Sequence, residues 1–453
     1  MLKKILIANR NEIAVRIIRA AKGLGIETVA IYSTADKDAL HVKLATQAIC
    51  VGGPLPRDSY LNMHNIVSAA LLTGCDAIHP GYGFLAENTT FARLVQDHGL
   101  VFIGPDCHVI DIMGDKAKAR ETMMAQGIPV VPGSGALTDV NHGKTEAEKI
   151  GYPVLIKASA GGGGKGMRIC HEPADFEKTY HMATAEALGS FGNGQVYLEK
   201  YVINPKHIEW QVIGDSQGNV VHLYERDCSV QRHHQKIIEE APCQSLREDV
   251  RQRMATDVIK AAKAVNYQNA GTFEFILDAD QNYYFIEMNT RIQVEHPVTE
   301  MITGIDLIKE MIRVASGLPL SFTQADVAIH GYSMECRINA ENPASGFTPS
   351  AGRITHLRLP SGFGVRMDTA LYPEASVPPF YDSLVGKLIV HGNNRPDCVR
   401  KMRGALQELV IEGIDTNCAL HQHIFHSIEF VEGQFDTGFL PKLLAKKAST
   451  DLQ

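Results

Sequence analysis

Two aromatic-rich runs, separated by a short segment rich in Asp and Asn, constrain the fold of this chain more than any other feature of its sequence. The runs are Gly271–Leu277 and Tyr283–Asn289, and Asp278–Asn282 lies between them. Aromatic and β-branched residues favour strands, and a short polar segment between two such runs favours a hairpin. We therefore predict a pair of antiparallel strands here.

The register of this hairpin follows if its loop consists of the four residues 279–282. Glu274 then lies directly opposite Glu287. A shift of one residue would place Glu274 opposite Ile286 and mix the polar and apolar faces, so the pattern favours this register. It forms three further pairs: Phe275 with Ile286, Phe273 with Met288, and Thr272 with Asn289.

The two glutamates of the hairpin form a candidate metal site. Carboxylates about 5 Å apart across a strand pair repel each other, and a cation between Glu274 and Glu287 would remove this repulsion. Carboxylate oxygens, with Asn289 as a third oxygen ligand, suit Mg²⁺, the usual companion of ATP phosphates. The alternative is that both glutamates point to solvent, because exposed strands are often acidic.

Polar residues occupy every second position after the second strand begins: Glu287, Asn289, Arg291, Gln293 and Glu295. While the chain stays extended, these side chains share one side of it. Arg291 is suited to bind a small carboxylate-like anion in a bidentate manner, and Glu295 could remove a proton from that anion. A solvated strand face would alternate in the same way.

A polyglycine loop follows a predicted strand at Pro153–Ser159. It runs from Ala160 to Met167, with four consecutive glycines between Lys157 and Lys165. Without Cβ atoms the backbone N–H groups can close on an anion, and the lysines supply charge for phosphates. It is not a P-loop, which needs GxxxxGK[ST] at the start of a helix. We interpret it as a mobile flap over a nucleotide; the alternative is a flexible surface turn.

The fold class predicted from the pattern is α/β followed by α+β. Apolar runs alternate with amphipathic segments over the first ~110 residues, which indicates βα units on a parallel sheet. The turn at Asn9–Ala14 lacks the glycines of a dinucleotide-binding motif, so that alternative is not favoured. A smaller α+β unit is expected from Gly127 to Val202, and a larger region with hairpin-like strands from Ile203. The first strands are predicted at Ile5–Ala8, Thr28–Tyr32, Ala48–Val51, Ala77–His79 and Val101–Ile103.

Composition excludes several classes of protein. The net charge of -7 gives no sign of a basic surface for nucleic-acid phosphates. The nine cysteines form no CxxC pair, so neither a zinc site nor a disulfide framework is indicated. No apolar stretch approaches the ~20 residues of a membrane span, and the apolar start is too short for a secretory signal. We expect a soluble, cytoplasmic protein.

Several stretches resemble biotin carboxylases and related components of biotin-dependent carboxylases. The most specific is Glu287–Pro297, with the sequence EMNTRIQVEHP. The resemblance covers roughly residues 1 to 445 in family order, which is far more specific than one short motif. The other stretches are His79–Leu85, Met113–Lys116, the polyglycine loop, Glu225–Ser229, His234–Lys236 and Glu335–Glu341.

The resemblance implies an ATP-grasp fold in three parts. These are an N-terminal Rossmann-like parallel-sheet domain (1–113), a linker with a small mobile lid domain that carries the glycine loop (114–202), and a C-terminal mixed domain with an antiparallel sheet (203–453). The ATP-grasp region itself would cover about 120–316.

The resemblance also implies roles for individual residues. ATP would contact Lys116, Lys157, Gly163, Gly164, Glu199, Lys200, Tyr201, Val202, His207, His234, Glu274 and Glu287. Mg²⁺ (or Mn²⁺) would be held by Glu274, Glu287 and Asn289, and bicarbonate by Lys236, Arg291 and Val294. The catalytic set would be Lys236, Arg291, Glu295 as the base, and Arg337, which would bind biotin and stabilise its enolate. Without the resemblance, His207, His234 and Lys236 would be interpreted as packed or surface residues.

The implied activity is Mg-ATP-dependent carboxylation of biotin by bicarbonate through carboxyphosphate. In bacterial acetyl-CoA carboxylase this is the first half-reaction toward malonyl-CoA and fatty acids; pyruvate and propionyl-CoA carboxylases use the same chemistry. The sequence contains no Met-Lys-Met biotin-attachment motif and no carboxyltransferase region. The expected partners are therefore a separate biotin carboxyl carrier protein, carboxyltransferase subunits and a second copy of the chain.

Two other interpretations are a non-catalytic nucleotide-binding module that regulates a partner, and an ATP-grasp carboxylate–amine ligase. The presence of Arg291, Glu295 and Arg337 argues against both. Two residues depart from the family pattern. Asn11 replaces a usual glycine, and Asn tolerates left-handed backbone better than most residues. Lys165 replaces an arginine found in many bacterial members and keeps a cation there.

Overall fold

Five parallel strands form the first sheet of the computed structural model, in the order β3-β2-β1-β4-β5. The structure describes residues 1–159 and 167–450, without the side chains of residues 117, 191 and 447–450. The parallel sheet predicted from the sequence is confirmed. Its elements are β1 (Lys4–Ile7), α1 (Asn11–Gly23), β2 (Glu27–Ser33), α2 (Leu40–Leu44), β3 (Gln47–Gly52), α3 (Met63–Leu72), β4 (Ala77–His79), α4 (Thr89–Asp97), β5 (Val101–Phe102) and α5 (Cys107–Gly114).

Local sequence explains where these helices begin. Asn62, Asn88 and Asp106 stand immediately before α3, α4 and α5, and each side chain accepts a hydrogen bond from a backbone N–H of the first turn. Helix α1 instead has an apolar face, with Ile13 and Ile17 fully buried between the first sheet and the rest of the molecule.

A small second unit contains a four-stranded antiparallel sheet in the order β6-β9-β7-β8. It has its own apolar core, which includes Val154, Phe176 and Leu198. The flap residues Gly163 and Gly164, and Lys165 beside them, lie outside the described residues. The elements are α6 (Lys116–Ala125), β6 (Gly133–Ala136), α7 (Val140–Ile150), β7 (Val154–Ala158), β8 (Met167–Cys170), α8 (Phe176–Phe191) and β9 (Val196–Lys200).

An eight-stranded antiparallel sheet organises the rest of the chain, in the order β14-β13-β10-β11-β12-β15-β22-β20. Its strands are β10 (Lys206–Gly214), β11 (Val220–Arg232), β12 (Gln235–Ala241), β13 (Asn269–Leu277), β14 (Tyr283–Asn289), β15 (Tyr332–Asn339), β20 (Val365–Thr369) and β22 (Leu384–Gly392). The short strands are β16 (Glu341–Asn342), β17 (Thr348–Pro349), β18 (Gly352–Arg353), β19 (His356–Arg358), β21 (Ser376–Val377) and β23 (Val410–Glu412). The helices are α9 (Glu248–Ala264), α10 (His296–Thr303), α11 (Leu307–Ala315), α12 (Arg395–Glu408), α13 (Cys418–His426), α14 (Ile428–Val431) and α15 (Phe439–Thr450).

The predicted hairpin is the pair β13–β14, and its register is correct at the end that carries the glutamates. Glu274 lies opposite Glu287, Phe273 opposite Met288, and Thr272 opposite Asn289, as predicted. Beyond Glu274 the register shifts by one residue, so the prediction there is wrong. Phe275 pairs with Phe285 instead of Ile286, and Tyr283 pairs with Leu277 instead of Asp278. The physical reason is a bulge, which inserts one extra residue on β14.

The first sheet and the large sheet share one apolar core. Side chains of α1 and α11 pack between the two sheets, together with Ile213, Leu223 and Ala270 of the large sheet. Asn11 adopts the left-handed conformation expected for a glycine replacement, with φ 58°. Its side-chain amide donates to the carbonyl of Leu384 at 2.6 Å, so the first turn of α1 contacts the beginning of β22. Among residues 1–159 and 167–450, the helices are all too short or too polar to cross a bilayer.

Candidate active site

A cavity of about 2340 Å³ lies where the first sheet, the small unit and the large sheet meet. Sixteen of the eighteen residues that the resemblance assigns to the site line it; the other two, Gly163 and Gly164, lie outside the described residues. The lining members are Lys116, Lys157, Glu199, Lys200, Tyr201, Val202, His207, His234, Lys236, Glu274, Glu287, Asn289, Arg291, Val294, Glu295 and Arg337. Residues far apart in sequence therefore converge on one cavity.

Lys236 is the central cation of the deep part of the cavity. Its Nζ donates to Oε1 of Glu274 and to Oε1 of Glu295, each at 2.9 Å, and also contacts Glu209. Burial disfavours its charge, but the three carboxylates outweigh burial and raise the pKa of Lys236 well above its usual value. A charged ammonium that is partly exposed to the cavity can bind a small anion.

Glu274 is fixed by a set of hydrogen bonds. Its Oε1 accepts from Asn289 Nδ2 at 2.7 Å and from Gln293 Nε2 at 2.8 Å, and its Oε2 accepts from His207 Nε2 at 2.9 Å. Burial opposes ionisation, but Lys236 and His207 outweigh it and lower the pKa of Glu274 well below its usual value. The carboxylate is therefore charged, as a metal ligand has to be.

The opposite glutamate, Glu287, is more exposed and forms an ion pair with Lys116 at 3.0 Å. Asn289, two residues further along β14, lies beside Glu274. Two carboxylates and an amide oxygen from neighbouring strands are the donors that Mg²⁺ prefers, so the residues present fit that ion. Two groups of three residues have ligand atoms within 4.8 Å of one another: His207, Glu209 and Glu274, and Glu209, Cys228 and Glu295. Lys236 forms ion pairs with both carboxylates of each group, whereas Glu287 of the hairpin pair contacts Lys116 instead, so the hairpin pair is the better candidate.

Glu295 lies between two cations. Its Oε1 accepts from Lys236 and its Oε2 from a terminal nitrogen of Arg337, both at 2.9 Å. Burial opposes ionisation, but Lys236 and Arg337 outweigh it and lower the pKa of Glu295 well below its usual value. The group is therefore ionised near neutral pH, which is the state that a proton acceptor needs.

Arg337 is oriented by carboxylates on two sides. Its Nε donates to Glu239 Oε1 at 2.5 Å, opposite to the contact with Glu295. The side chain keeps 17% of its surface exposed, toward the cavity. A guanidinium fixed in this way can donate to an oxygen that becomes negative during a reaction.

Arg291 lies at the edge of the same cavity. It donates to Glu87 Oε2 at 2.7 Å and to Asn289 Oδ1 at 3.0 Å. Strand β14 ends at Asn289, so the extended arrangement predicted for the polar series holds only for its first two members. Arg291, Gln293 and Glu295 reach the cavity from the bent segment before α10 instead.

Other residues expected near the nucleotide line the cavity from the small unit and from the turn between β11 and β12. Lys157 forms an ion pair with Glu199 across the strand pair β7–β9. The ammonium of Lys200 donates to the backbone carbonyls of Gly151 and Tyr152 at 2.8 and 2.9 Å. These hydrogen bonds connect β9 to the segment before β7. His234 lies in the tight turn between β11 and β12, with a left-handed φ of 63°.

Three acidic residues of the site were not predicted from the sequence. Glu209 contacts Lys236, Glu239 contacts Arg337, and Glu87 contacts Arg291. Burial, opposed by Lys236, raises the pKa of Glu209 to about 7, and burial likewise raises the pKa of Glu239. One signal was available: in β10 the polar residues His207, Glu209 and Gln211 alternate with Ile208, Trp210 and Val212, which indicates a strand with one polar face.

Three family models match the chain. The biotin carboxylase N-terminal domain matches residues 1–110, the ATP-binding domain of the carbamoyl-phosphate synthase L chain matches residues 115–323, and the biotin carboxylase C-terminal domain matches residues 335–442. Biotin carboxylase 1 of Bacillus subtilis (strain 168) is 54% identical over 442 residues, which cover 97% of this chain and 98% of the relative.

Two solved structures are similar over nearly the whole chain. The biotin carboxylase–β,γ-ATP complex from Campylobacter jejuni has a TM-score of 0.92 at 49% identity and covers 98% of this chain and 99% of that one. The biotin carboxylase domain dimer of 2-oxoglutarate carboxylase from Hydrogenobacter thermophilus, bound to MgADP, ADP and bicarbonate, has a TM-score of 0.91 at 52% identity and covers 98% of each chain.

Proposed function

The chain belongs to the biotin carboxylase family, and on that premise we propose that it uses Mg-ATP and bicarbonate to carboxylate biotin on a separate carrier. One observation carries the proposal. Glu295 contacts Lys236 and Arg337 in the same cavity that contains the lysines and carboxylates suited to Mg-ATP. A proton acceptor, an anion-binding cation and an oxyanion-binding guanidinium thus lie side by side.

The first step is the activation of bicarbonate, which is a poor nucleophile. Lys236 and Arg291, with the backbone at Val294, bind the anion, and Glu295 accepts its proton as it attacks the γ-phosphate of ATP. Lys116 and Lys157 contact the phosphates. Glu274, Glu287 and Asn289 would hold the magnesium ion, and when bound it supplies charge that offsets the charge spreading over the transferring phosphoryl group.

The second step is the carboxylation of biotin. Carboxyphosphate breaks its C–O bond beside the ureido ring and releases CO₂ and phosphate. The phosphate takes the proton of the ring nitrogen, negative charge builds on the ureido oxygen, and the nitrogen then forms its bond with CO₂. The guanidinium of Arg337 stabilises that charge. Because Arg337 also contacts Glu295, the sites of the two steps are adjacent.

The proposal includes partners and organisation that follow from the family. We infer a separate biotin carboxyl carrier protein, carboxyltransferase subunits, and a homodimer, since the 2-oxoglutarate carboxylase domain crystallised as a dimer. The domain boundaries 1–113, 114–202 and 203–453 are part of the same proposal. A cytoplasmic location stays a prediction.

The final carboxyl acceptor separates two candidate functions. A role in the first half-reaction of acetyl-CoA carboxylase is the main one, because several relatives are named simply biotin carboxylase. The similar domain from 2-oxoglutarate carboxylase supports the second, a carboxylase with a keto-acid acceptor. Mixing the chain with each carrier and carboxyltransferase pair, and following which acceptor is carboxylated, decides between them.

ATP cleavage by the purified chain should depend on both bicarbonate and Mg²⁺, and free biotin should accelerate it. The reason is that the nucleophile in the proposed reaction is bicarbonate, not water. Release of ADP is measured with each component omitted in turn, using bicarbonate-depleted buffer as the control. An ADP release rate indifferent to bicarbonate and to biotin would contradict the proposed function.

Replacing Glu287 by glutamine should raise the Mg²⁺ concentration needed for half-maximal ATP cleavage by about tenfold or more. Removing a residue that only supports a metal ligand already lowers metal affinity by about tenfold, and loss of a ligand should cost at least as much. The amide keeps the shape but loses the charge that faces Glu274 across the hairpin. Glu199→Gln is the matched control, because Glu199 pairs with Lys157 in the same cavity but is not a proposed metal ligand. An equal Mg²⁺ requirement in both variants would rule out Glu287 as a ligand.

A further inference from the structure

A fully buried lysine lies directly behind the proposed base. Lys387, on β22, is 0% exposed, and its Nζ donates to the backbone carbonyl of Val294 at 2.9 Å. Val294 lines the cavity and immediately precedes Glu295. Lys387 itself does not line the cavity, so this contact is its direct connection to the segment that carries the base.

The surroundings of Lys387 make it unfavourable for the stability of the folded protein. It lies directly opposite Arg337 across β15–β22, and like charges in that position repel each other. Its ion-pair partner is Glu12 of α1, at 3.2 Å, which is equally buried. An apolar side chain would fill the same space without the cost of burying two charged groups. Packing alone therefore does not explain a lysine at this position, whereas its hydrogen bond to Val294 does.

A second carboxyl group lies nearby but does not satisfy the lysine. Glu335 is fully buried, and no described residue forms a hydrogen bond with either of its carboxyl oxygens. Burial, opposed by Lys387, raises the pKa of Glu335 well above its usual value. Glu12, at 3.2 Å, is the carboxyl group that forms the ion pair with Lys387, and burial raises the pKa of Glu12 as well.

We propose that Lys387 is a positioning residue that fixes the backbone at Val294 and thereby aligns Glu295 with bicarbonate. The proposal rests on the proposed function, since it assigns Glu295 the role of base. The bent segment 290–295 has no strand partner of its own, so its position depends on such contacts. Glu12 neutralises Lys387 and also accepts a hydrogen bond from Tyr82, another residue of the cavity wall.

The test separates two possible roles of Lys387: aligning Glu295 through Val294, and neutralising the buried charge of Glu12. Lys387→Met alone removes the contact with Val294 but leaves Glu12 buried without its cation. The double variant Glu12→Gln/Lys387→Met removes both members of the pair, and the glutamine can still accept the hydrogen bond from Tyr82. Arg395→Met is the control for loss of a buried cation, because Arg395 is 4% exposed, pairs with Glu240 and does not line the cavity.

The readouts are kcat and KM for bicarbonate and for ATP in bicarbonate-dependent ATP cleavage, with Tm for each variant. We expect both Lys387 variants to lose about 100-fold in kcat/KM for bicarbonate, the scale of a small misplacement of a reacting group, with KM for ATP close to wild type. Arg395→Met should lower Tm and leave KM for bicarbonate unchanged.

Wild-type bicarbonate kinetics in the double variant would overturn the proposal, because Lys387 would then serve only to neutralise Glu12. Failure of both Lys387 variants to fold would also overturn it, since it would make Lys387 a stability residue. Neither result bears on the reaction itself. Only absence of bicarbonate-dependent ATP cleavage in the wild-type enzyme, measured in parallel, would contradict the proposed function.

Discussion

Replacing Glu295 by glutamine should lower the rate of bicarbonate-dependent ATP cleavage by about 100- to 10,000-fold, the contribution typical of a general base. Glutamine has the same shape, but its one carbonyl oxygen can accept a hydrogen bond from only one of Lys236 and Arg337, and it cannot take a proton from bicarbonate. The rate of ADP release at saturating ATP and bicarbonate measures the effect. Carboxylation of biotin should fall by the same factor, because it consumes the product of this step.

The electrostatics of the cavity explain how a strongly acidic group can serve as a base. Lys236 and Arg337 depress the pKa of Glu295 in the substrate-free enzyme. The same two cations are the proposed partners of bicarbonate and of the ureido oxygen. When the substrates share those charges, Glu295 loses part of its stabilisation, and its pKa rises toward the range where a base is effective.

The matched control for this prediction is Glu239→Gln. Glu239 is as buried as Glu295 and contacts Arg337 from the other side, but it does not contact Lys236. Glutamine at this position keeps an oxygen that can accept from Arg337 and leaves the proposed base, Glu295, in place. ATP cleavage should therefore fall far less than in Glu295→Gln, and an equal loss in the two variants would contradict the assignment of the base.

The part of the site that the sequence predicted is the part encoded by local periodicity. A two-residue repeat determines which residues share one face of a strand, and this places Glu274 opposite Glu287. The same reasoning failed beyond Glu274, because Phe285 and Ile286 are both apolar and either can pair with Phe275. The pattern contains no signal that distinguishes these two pairings, so the bulge could not be predicted from the sequence.

The remaining contacts depend on strand order, which local patterns do not encode. Lys236 on β12 meets Glu274 on β13 although β10 and β11 lie between these strands in the sheet. Glu239 meets Arg337 because β12 pairs with β15, almost a hundred residues later in the chain. The resemblance to a family supplied Lys236 and Arg337, but the acidic partners that fix them required the three-dimensional structure.

Replacing Arg337 by alanine should lower the rate of biotin carboxylation by about 100- to 1,000-fold, as expected for the loss of one donor to a developing oxyanion. Bicarbonate-dependent ATP cleavage should fall much less, because Lys236 and Arg291 remain to bind bicarbonate. The two rates are measured separately, as ADP released without biotin and as carboxybiotin formed with it. Arg291→Ala is the comparison, and it should impair both reactions.

The variant Arg337→Lys separates the effect of the positive charge at this position from the effect of the planar guanidinium geometry. Arg337 donates from Nε to Glu239 and from a terminal nitrogen to Glu295, so both carboxylates orient the planar group. Lysine retains the charge as a single point but cannot make both contacts with a planar fork. If orientation matters, Arg337→Lys should resemble Arg337→Ala in biotin carboxylation while keeping the pKa of Glu295 depressed.

Equal losses of ATP cleavage and biotin carboxylation in Arg337→Ala would instead mean that this residue serves the first step, and the assignment of the enolate-stabilising group would be wrong.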